Sequence, residues 1–185
     1  IVTVQGESFS VTAQLAITDR NGRSARIAAT DVLASNGVIH VIDQVILPKL
    51  PNLVELAVSQ PQFSILVEAV QAAGLVSALS GSQALTVFAP TNDAFKSVPA
   101  ATMDDLAKHP EKLKAVLSYH IAMGKMMAAD IKTGNAKTLE GSTVALGKAG
   151  DFVTVEAAMV VTPNLASTNG VIHTVDTVLM PPKKK

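Results

Sequence analysis

The 185-residue chain has no cysteine and no tryptophan. Without a thiol there is no disulfide, no thiolate zinc site and no cysteine nucleophile, and the redox compartment is left open. Aromatic residues amount to 3%, one Tyr and five Phe, too few for platforms that stack bases or sugars. Net charge is missing too. Fifteen Lys and Arg balance fifteen Asp and Glu, so no bulk field draws the chain to nucleic acid or to an anionic membrane. The one basic run, Lys183-Lys184-Lys185, reads as a solubilising tail or an expression remnant rather than a lipid-binding patch. No apolar run approaches the roughly 18–20 residues of a membrane-spanning helix. No signal-peptide pattern is present, and the first residue, Ile1, is not an initiator methionine, which points to processing or truncation.

What the chain does have is apolar surface to bury. Hydrophobic residues make up 48% against 16% charged, a balance that excludes general disorder. The length suits one ordinary domain with part of another attached. A repeat supports that division. Asn36-Gly37-Val38-Ile39-His40-Val41-Ile42-Asp43-Gln44-Val45-Ile46-Leu47-Pro48 returns as Asn169-Gly170-Val171-Ile172-His173-Thr174-Val175-Asp176-Thr177-Val178-Leu179-Met180-Pro181, with eight of thirteen positions identical and the copies 133 residues apart. Solenoid and propeller units recur at about 20–50 residues, so this spacing indicates tandem domains. The likeness extends backward: Gln5-Gly6-Glu7-Ser8 resembles Glu140-Gly141-Ser142-Thr143, and Ala29–Ala34 takes the place of Thr162–Ser167. Residues 1–50 are expected to form the last third of one domain and residues 51–182 a complete second one, with 183–185 as a tail.

The second domain opens with helices. Pro61 suits a first helical turn, Phe63, Leu66, Val67 and Val70 follow at one-face spacing, and Gly74 can end the helix. Residues 84–89 read as a short buried strand, after which Thr91 can cap a helix with Asp93 in its first turn. Another helix starts near Pro110, with Leu113, Val116, Leu117 and His120 on one face. From Gly124 onward short apolar runs alternate with glycines, as strands do. Helices followed by strands indicate an α+β fold.

No polar constellation completes a catalytic set. His173 and Asp176, like His40 and Asp43, are three apart on a strand and so point to opposite faces. His120 continues an apolar stripe and is expected to face inward, its ring nitrogens satisfying backbone groups. The four histidines lack metal-ligand spacing. Asp104 and Asp105 read as solvated first-turn charges. Asn21-Gly22 reads as a hairpin turn rather than part of an adhesion tripeptide with Arg23.

Three segments carry a family resemblance. Thr86-Val87-Phe88-Ala89-Pro90-Thr91-Asn92-Asp93-Ala94-Phe95 resembles the first signature of fasciclin-like FAS1 domains, Leu117-Ser118-Tyr119-His120-Ile121 their Tyr-His motif, and residues 169–181 their second signature. They occur in the family order across 51–182, and residues 36–48 resemble the second signature of a preceding domain. The resemblance implies a wedge-shaped β-sandwich with helices packed around it. It also implies a noncatalytic adhesion or matrix module that is secreted, periplasmic or attached to the cell surface, with no cofactor, no metal and no nucleic acid. Its implied partner is a cell-surface or matrix protein, and the incomplete first domain calls for a missing upstream segment or a second copy. In animal members, contact with integrins involves the Tyr-His region and an acidic stretch before the second signature. Here that stretch is Thr162-Pro163-Asn164-Leu165-Ala166, without acidic residues, whereas Ala29-Thr30-Asp31-Val32-Leu33 keeps Asp31. The candidate motif residues are thus Asn92, Asp93, Tyr119, His120 and Asp31. Some members carry carotenoids, so a carrier of an apolar small molecule is the second reading, with Met123, Met126 and Met127 lining the groove.

Overall fold

The computed structural model describes residues 1–19 and 22–182, so Asn21 of the expected hairpin turn and the terminal lysines lie outside the described residues. The chain divides into two compact units, Ile1–Leu50 and Pro51–Lys185.

The second unit begins with helix α1 (Leu53–Val58), started by a capping box. Asn52 Oδ1 accepts the amides of Val54 and Glu55, and the Glu55 carboxylate accepts the Asn52 amide. A 3-10 turn at Pro61–Phe63 runs into α2 (Ser64–Ala72), which ends before Gly74 at φ 67°. Helix α3 (Val76–Ser80) leads to strand β5 (Leu85–Pro90), buried along its whole length. The Thr91 hydroxyl then accepts the Ala94 amide and starts α4 (Asn92–Lys96). Helices α5 (Ala100–Lys108) and α6 (Pro110–Tyr119) follow. Because α5 begins at Ala100, Asp104 and Asp105 sit in its middle and not in a first turn; both are exposed, and Asp105 pairs with Lys112 at 2.8 Å.

The remaining strands are β6 (Ile121–Met123), β7 (Gly134–Lys137), β8 (Thr143–Ala149), β9 (Phe152–Val155), β10 (Ala158–Ser167) and β11 (Gly170–Val175). Among the described residues they join β5 in a seven-stranded sheet ordered β6-β5-β11-β10-β9-β8-β7. Only β5 and β11 run parallel, and the helices α4–α6 lie on the long connection that parallel pairing demands. The sheet curls until its ends meet: Ala122 bridges Thr138, and the Leu139 amide donates to Ile121 O at 2.7 Å. The result is the expected α+β wedge, with two faces of one nearly closed sheet opposed and helices around it.

Alternation along β5 separates two cores. Leu85, Val87 and Ala89 join Phe63, Leu66, Val116 and Leu117 under the helices. Phe88 points the other way, into the curled sheet with Val144, Val153, Val155 and Val175.

The first unit is a four-stranded antiparallel sheet of β1 (Ser10–Val11), β2 (Ala16–Thr18), β3 (Ser24–Ala34) and β4 (Gly37–Ile42). Val11, Leu15, Val32 and Ile39 are exposed. Ile17 differs. It is buried together with Ala25, its antiparallel partner on β3.

Gly170 shows how tightly β11 meets β5. A Cβ there would collide with the Leu85 carbonyl oxygen and press on Leu53 Cδ1. Gly170→Ala is therefore expected to lower stability by about 1–3 kcal/mol, read as a lower urea midpoint with an unchanged slope.

Candidate functional site

Tyr119 ends α6 and His120 follows as its C-cap residue. Being adjacent at the point where helix becomes strand, the two side chains enter different cores. His120 is 1% exposed and lines the apolar space between helices and sheet; Tyr119 is 2% exposed and belongs to the core inside the curled sheet.

The hydrogen bonds of His120 define its tautomer. Nδ1 lies 2.8 Å from Val116 O, an acceptor, so Nδ1 carries the proton and donates; Nε2 accepts the Leu179 amide at 2.9 Å. Both nitrogens are consumed. Burial pushes the pKa down to about 4, opposed in part by the Val116 bond, so the ring is neutral at physiological pH. It has no lone pair to offer a metal and no means of taking a substrate proton.

His173 solves the same problem with the opposite tautomer. Its Nε2 donates to Met126 O at 2.8 Å and its Nδ1 accepts the Asn164 amide at 3.2 Å. The ring stacks on Phe88 with centroids 5.8 Å apart. Desolvation also lowers its pKa, against the Met126 bond. Asp176 is turned elsewhere and accepts the Met159 amide at 2.9 Å.

The Tyr119 hydroxyl donates to Glu156 Oε1 at 2.8 Å, with Thr143 O a second acceptor at 3.3 Å. Burial, followed by the Glu156 bond and charge, pushes the phenol up to about 12. Glu156 occupies the turn between β9 and β10 at φ 53° and also accepts the Ala145 amide. One carboxylate thereby ties α6 to the β8–β10 strands. Nothing in the sequence marked Glu156, since a turn glutamate is ordinarily solvated.

Asn92 is a fastener as well. Its Oδ1 accepts the Ile65 amide, and its Nδ2 donates to Pro61 O and Ser64 Oγ, which fixes the start of α2 to the end of β5. Asp93 beside it points outward, paired with Lys96 at 2.7 Å with both side chains well exposed; such a pair contributes little stability. Asp31 lies in the other unit, on β3, at φ 59°, a left-handed conformation that Asp and Asn tolerate better than most residues. Its counterpart Asn164 has φ 65°. The five motif residues therefore do not converge: Asn92, Tyr119 and His120 hold the second unit together, while Asp93 and Asp31 present exposed side chains.

The apolar space lined by Leu53, Leu66, Val70, Leu117, His120 and Ile172 measures about 40 Å³. An apolar cavity that takes a benzene is about 150 Å³, so a carotenoid has no room here in this conformation. None of Met123, Met126 and Met127 lines it. Among the described residues, no group of three or more His, Asp or Glu is placed to hold a metal ion.

The Fasciclin domain family model matches residues 1–48 and 61–181. Transforming growth factor-beta-induced protein ig-h3 of Sus scrofa is 37% identical over 163 residues, covering 87% of this chain and 24% of that protein. Protein sll1483 of Synechocystis sp. is 40% identical over 144 residues, covering 77% of this chain and 80% of that one. The chain thus spans about a quarter of the animal relative. A solved FAS1 domain pair from the insect cell adhesion molecule Fasciclin I shares the fold with a TM-score of 0.58 at 21% identity, over 94% of this chain and 67% of that one.

The state of His120 has a pH signature. Its folded pKa of about 4 lies below the ordinary 6.5, so between those values the unfolded chain binds a proton that the folded one refuses. The associated stability is complete above about pH 6.5 and drains away toward pH 4, on the order of 3 kcal/mol in all. His120→Ala should cost about 1–3 kcal/mol at pH 7, and this deficit should shrink as the pH falls to 4. Urea denaturation of both proteins at pH 7, 5.5 and 4 measures it; a deficit independent of pH would mean that the ring is not held neutral.

Proposed function

Because the chain belongs to the Fasciclin domain family, we propose that it is a noncatalytic adhesion module that works outside the cytoplasm by contact with a cell-surface or matrix protein. On this reading residues 51–182 are one whole fasciclin domain and residues 1–50 the rear part of another. The observation that carries the reading is the commitment of the second unit's buried signature groups. His120 and His173 have no free ring nitrogen, and the Tyr119 hydroxyl is bound to Glu156. A domain built this way has a firm frame and offers its partners a surface.

That surface has recognisable parts. Asp93 stands at the start of α4 with its side chain in solvent. On the outer face of β9 and β10, Phe152 is 67% exposed, and Met159, which pairs opposite Thr154, shares its face; Val161 continues it two residues on. Exposed aromatic and apolar side chains beside charges are the usual anchors of a protein contact. Among the described residues no helix is long and apolar enough to cross a membrane.

The test is attachment. Surfaces coated with the chain should retain cells or bind matrix proteins from a defined panel. Asp93→Ala and Phe152→Ser should each reduce retention several-fold with the melting temperature unchanged, since neither side chain supports the core. Turnover in a broad activity screen that vanished in His120→Ala, with circular dichroism intact, would overturn the proposal.

A further inference from the structure

Between β6 and β7 the chain runs through residues 124–133 without helix or strand. Among the described residues a single main-chain bond leaves this segment, from the Gly124 amide to Ala84 O at 2.9 Å; the bonds of the Asp130 and Ile131 amides to Met127 O stay inside it. Four residues on four strands make the other attachments. Thr86 on β5 donates its hydroxyl to Gly124 O at 2.7 Å and accepts the Met126 amide at 2.9 Å. His173 on β11 donates from Nε2 to Met126 O at 2.8 Å, and Asn164 on β10 accepts the Ala128 amide on Oδ1 at 2.8 Å. Lys148 on β8 donates from Nζ to Ala128 O and Ala129 O at 2.9 and 2.7 Å, and its amide donates to Thr133 Oγ1 at 3.2 Å. Ile131 alone of these ten residues is buried, in the core inside the curled sheet, with Met126 and Ala128 partly buried against the same core. The segment is a strap, tied by polar groups and pinned by one apolar side chain.

Two of these ties act in series. Asn164 stands at φ 65° in the irregular stretch of β10 between Thr162 and Leu165. Its amide rests on His173 Nδ1 at 3.2 Å while its side chain holds Ala128. The neutral ring therefore supports the strap twice, directly through Met126 and indirectly through Asn164. A proton added at Nδ1 turns that acceptor into a donor facing another donor. Asn164 has to move, and the Ala128 tie goes with it. The Met126 bond survives, because Nε2 donates in either state. Few ionisable groups surround the ring: β5 and β10 carry none, the strap carries the exposed Lys125, Asp130 and Lys132, β8 carries Lys148, and Asp176 after β11 is bonded to the Met159 amide. Burial lowers the pKa of His173 and the Met126 bond opposes this, with no charged neighbour among the described residues acting on it. Nothing there compensates an imidazolium in the closed arrangement.

We propose that residues 124–133 form an acid-released strap: protonation of His173 detaches the segment through Asn164 while the strands it crosses stay paired. The sign follows from linkage. The closed strap disfavours the proton, so closure is complete above the ordinary histidine value of 6.5 and weakens as the pH falls below it. The strands do not rely on the strap, since β5 with β11, β10 with β11 and β8 with β9 are joined by their own ladders. His120, in the other core, keeps its neutral form down to about pH 4 and with it the bonds to Val116 and Leu179. Release withdraws Ile131 from the core inside the curled sheet and opens that core to water. The otherwise firm frame of the second unit thus has one movable part.

Amide exchange of the full chain at pH 7.5 and pH 5, each expressed as protection relative to the unfolded rate at that pH, is the test. The amides of Ala128, Asp130 and Ile131 should lose about tenfold or more of their protection at pH 5 while β5, β11 and α6 keep theirs. The loss should follow the titration of the His173 ring recorded by NMR on the same sample. Asn164→Gly retains the positive φ but removes Oδ1. It should show at pH 7.5 the low protection that the parent reaches at pH 5, with little further change in acid. Unchanged protection of the three amides at pH 5, an equal loss in β5 and α6, a midpoint that follows a histidine other than His173, or a fully protected strap in Asn164→Gly at pH 7.5 would each overturn the proposal. If circular dichroism shows that Asn164→Gly does not fold, the titration of the parent decides alone.

Discussion

The second unit depends on the parallel contact between β5 and β11. Among the described residues it is the one parallel pairing, and it joins the front of this unit, where the helices are, to the hairpins at the rear. Parallel strands cannot be linked by a tight turn, so the intervening chain has to travel, and here it travels through α4, α5, α6 and three hairpins. Closing so long a loop is entropically expensive. What offsets it is the burial of all twelve residues of the two strands, a pair of positions per rung, with each well-buried Val, Leu, Ile or Phe contributing about 1.5–3 kcal/mol. Gly170 permits the close approach, and Asn169 just before it holds the start of α1 and the end of α3. Helix layer and sheet are thus fastened at one corner.

That arrangement explains the polar residues inside it. A neutral imidazole offers one donor and one acceptor, and each buried histidine sits where the backbone leaves one carbonyl and one amide to be satisfied. At the end of α6 the carbonyl is Val116 and the amide Leu179; over β11 they are Met126 and Asn164. Exchanging the tautomers would set donor against donor. These rings therefore act as connectors between segments distant in sequence, as Tyr119 does through Glu156. A group whose every valence is taken up in this way cannot also handle a substrate, so the motif that most resembles an active site is part of the frame.

Much of this was legible in the sequence because it is local or repeated. The capping threonine before α4, the proline starts of the 3-10 turn and of α6, and the inward-facing His120 all follow from spacing along one element. The recurrence of residues 36–48 marked the strand on which everything converges. Other features needed three dimensions. Glu156 looks like any turn residue until the curl of the sheet brings Tyr119 to it, 37 positions away. Asn92 and Asp93 are neighbours of similar polarity, and only the location of α2 makes one a fastener and the other a surface group. Asp104 and Asp105 fall in the middle of α5, because that helix starts at Ala100 with no capping side chain to announce it. Ile17 is buried and pairs with Ala25, and apolarity alone does not reveal pairing.

The two copies of the hairpin separate what sequence dictates nearby from what tertiary context adds. Pairing register, bulges, the left-handed residue at Asp31 or Asn164 and the histidine bond to its amide are the same in both units, so they arise within about 19 residues of chain. Burial is not the same. Val38 and Ile39 remain half in water with that local geometry in place, whereas Val171 and Ile172 are sealed. The identical residues at the two sites therefore encode the strand and its alternation, and the neighbouring strand and helices determine how much hydrophobic stabilisation that strand yields.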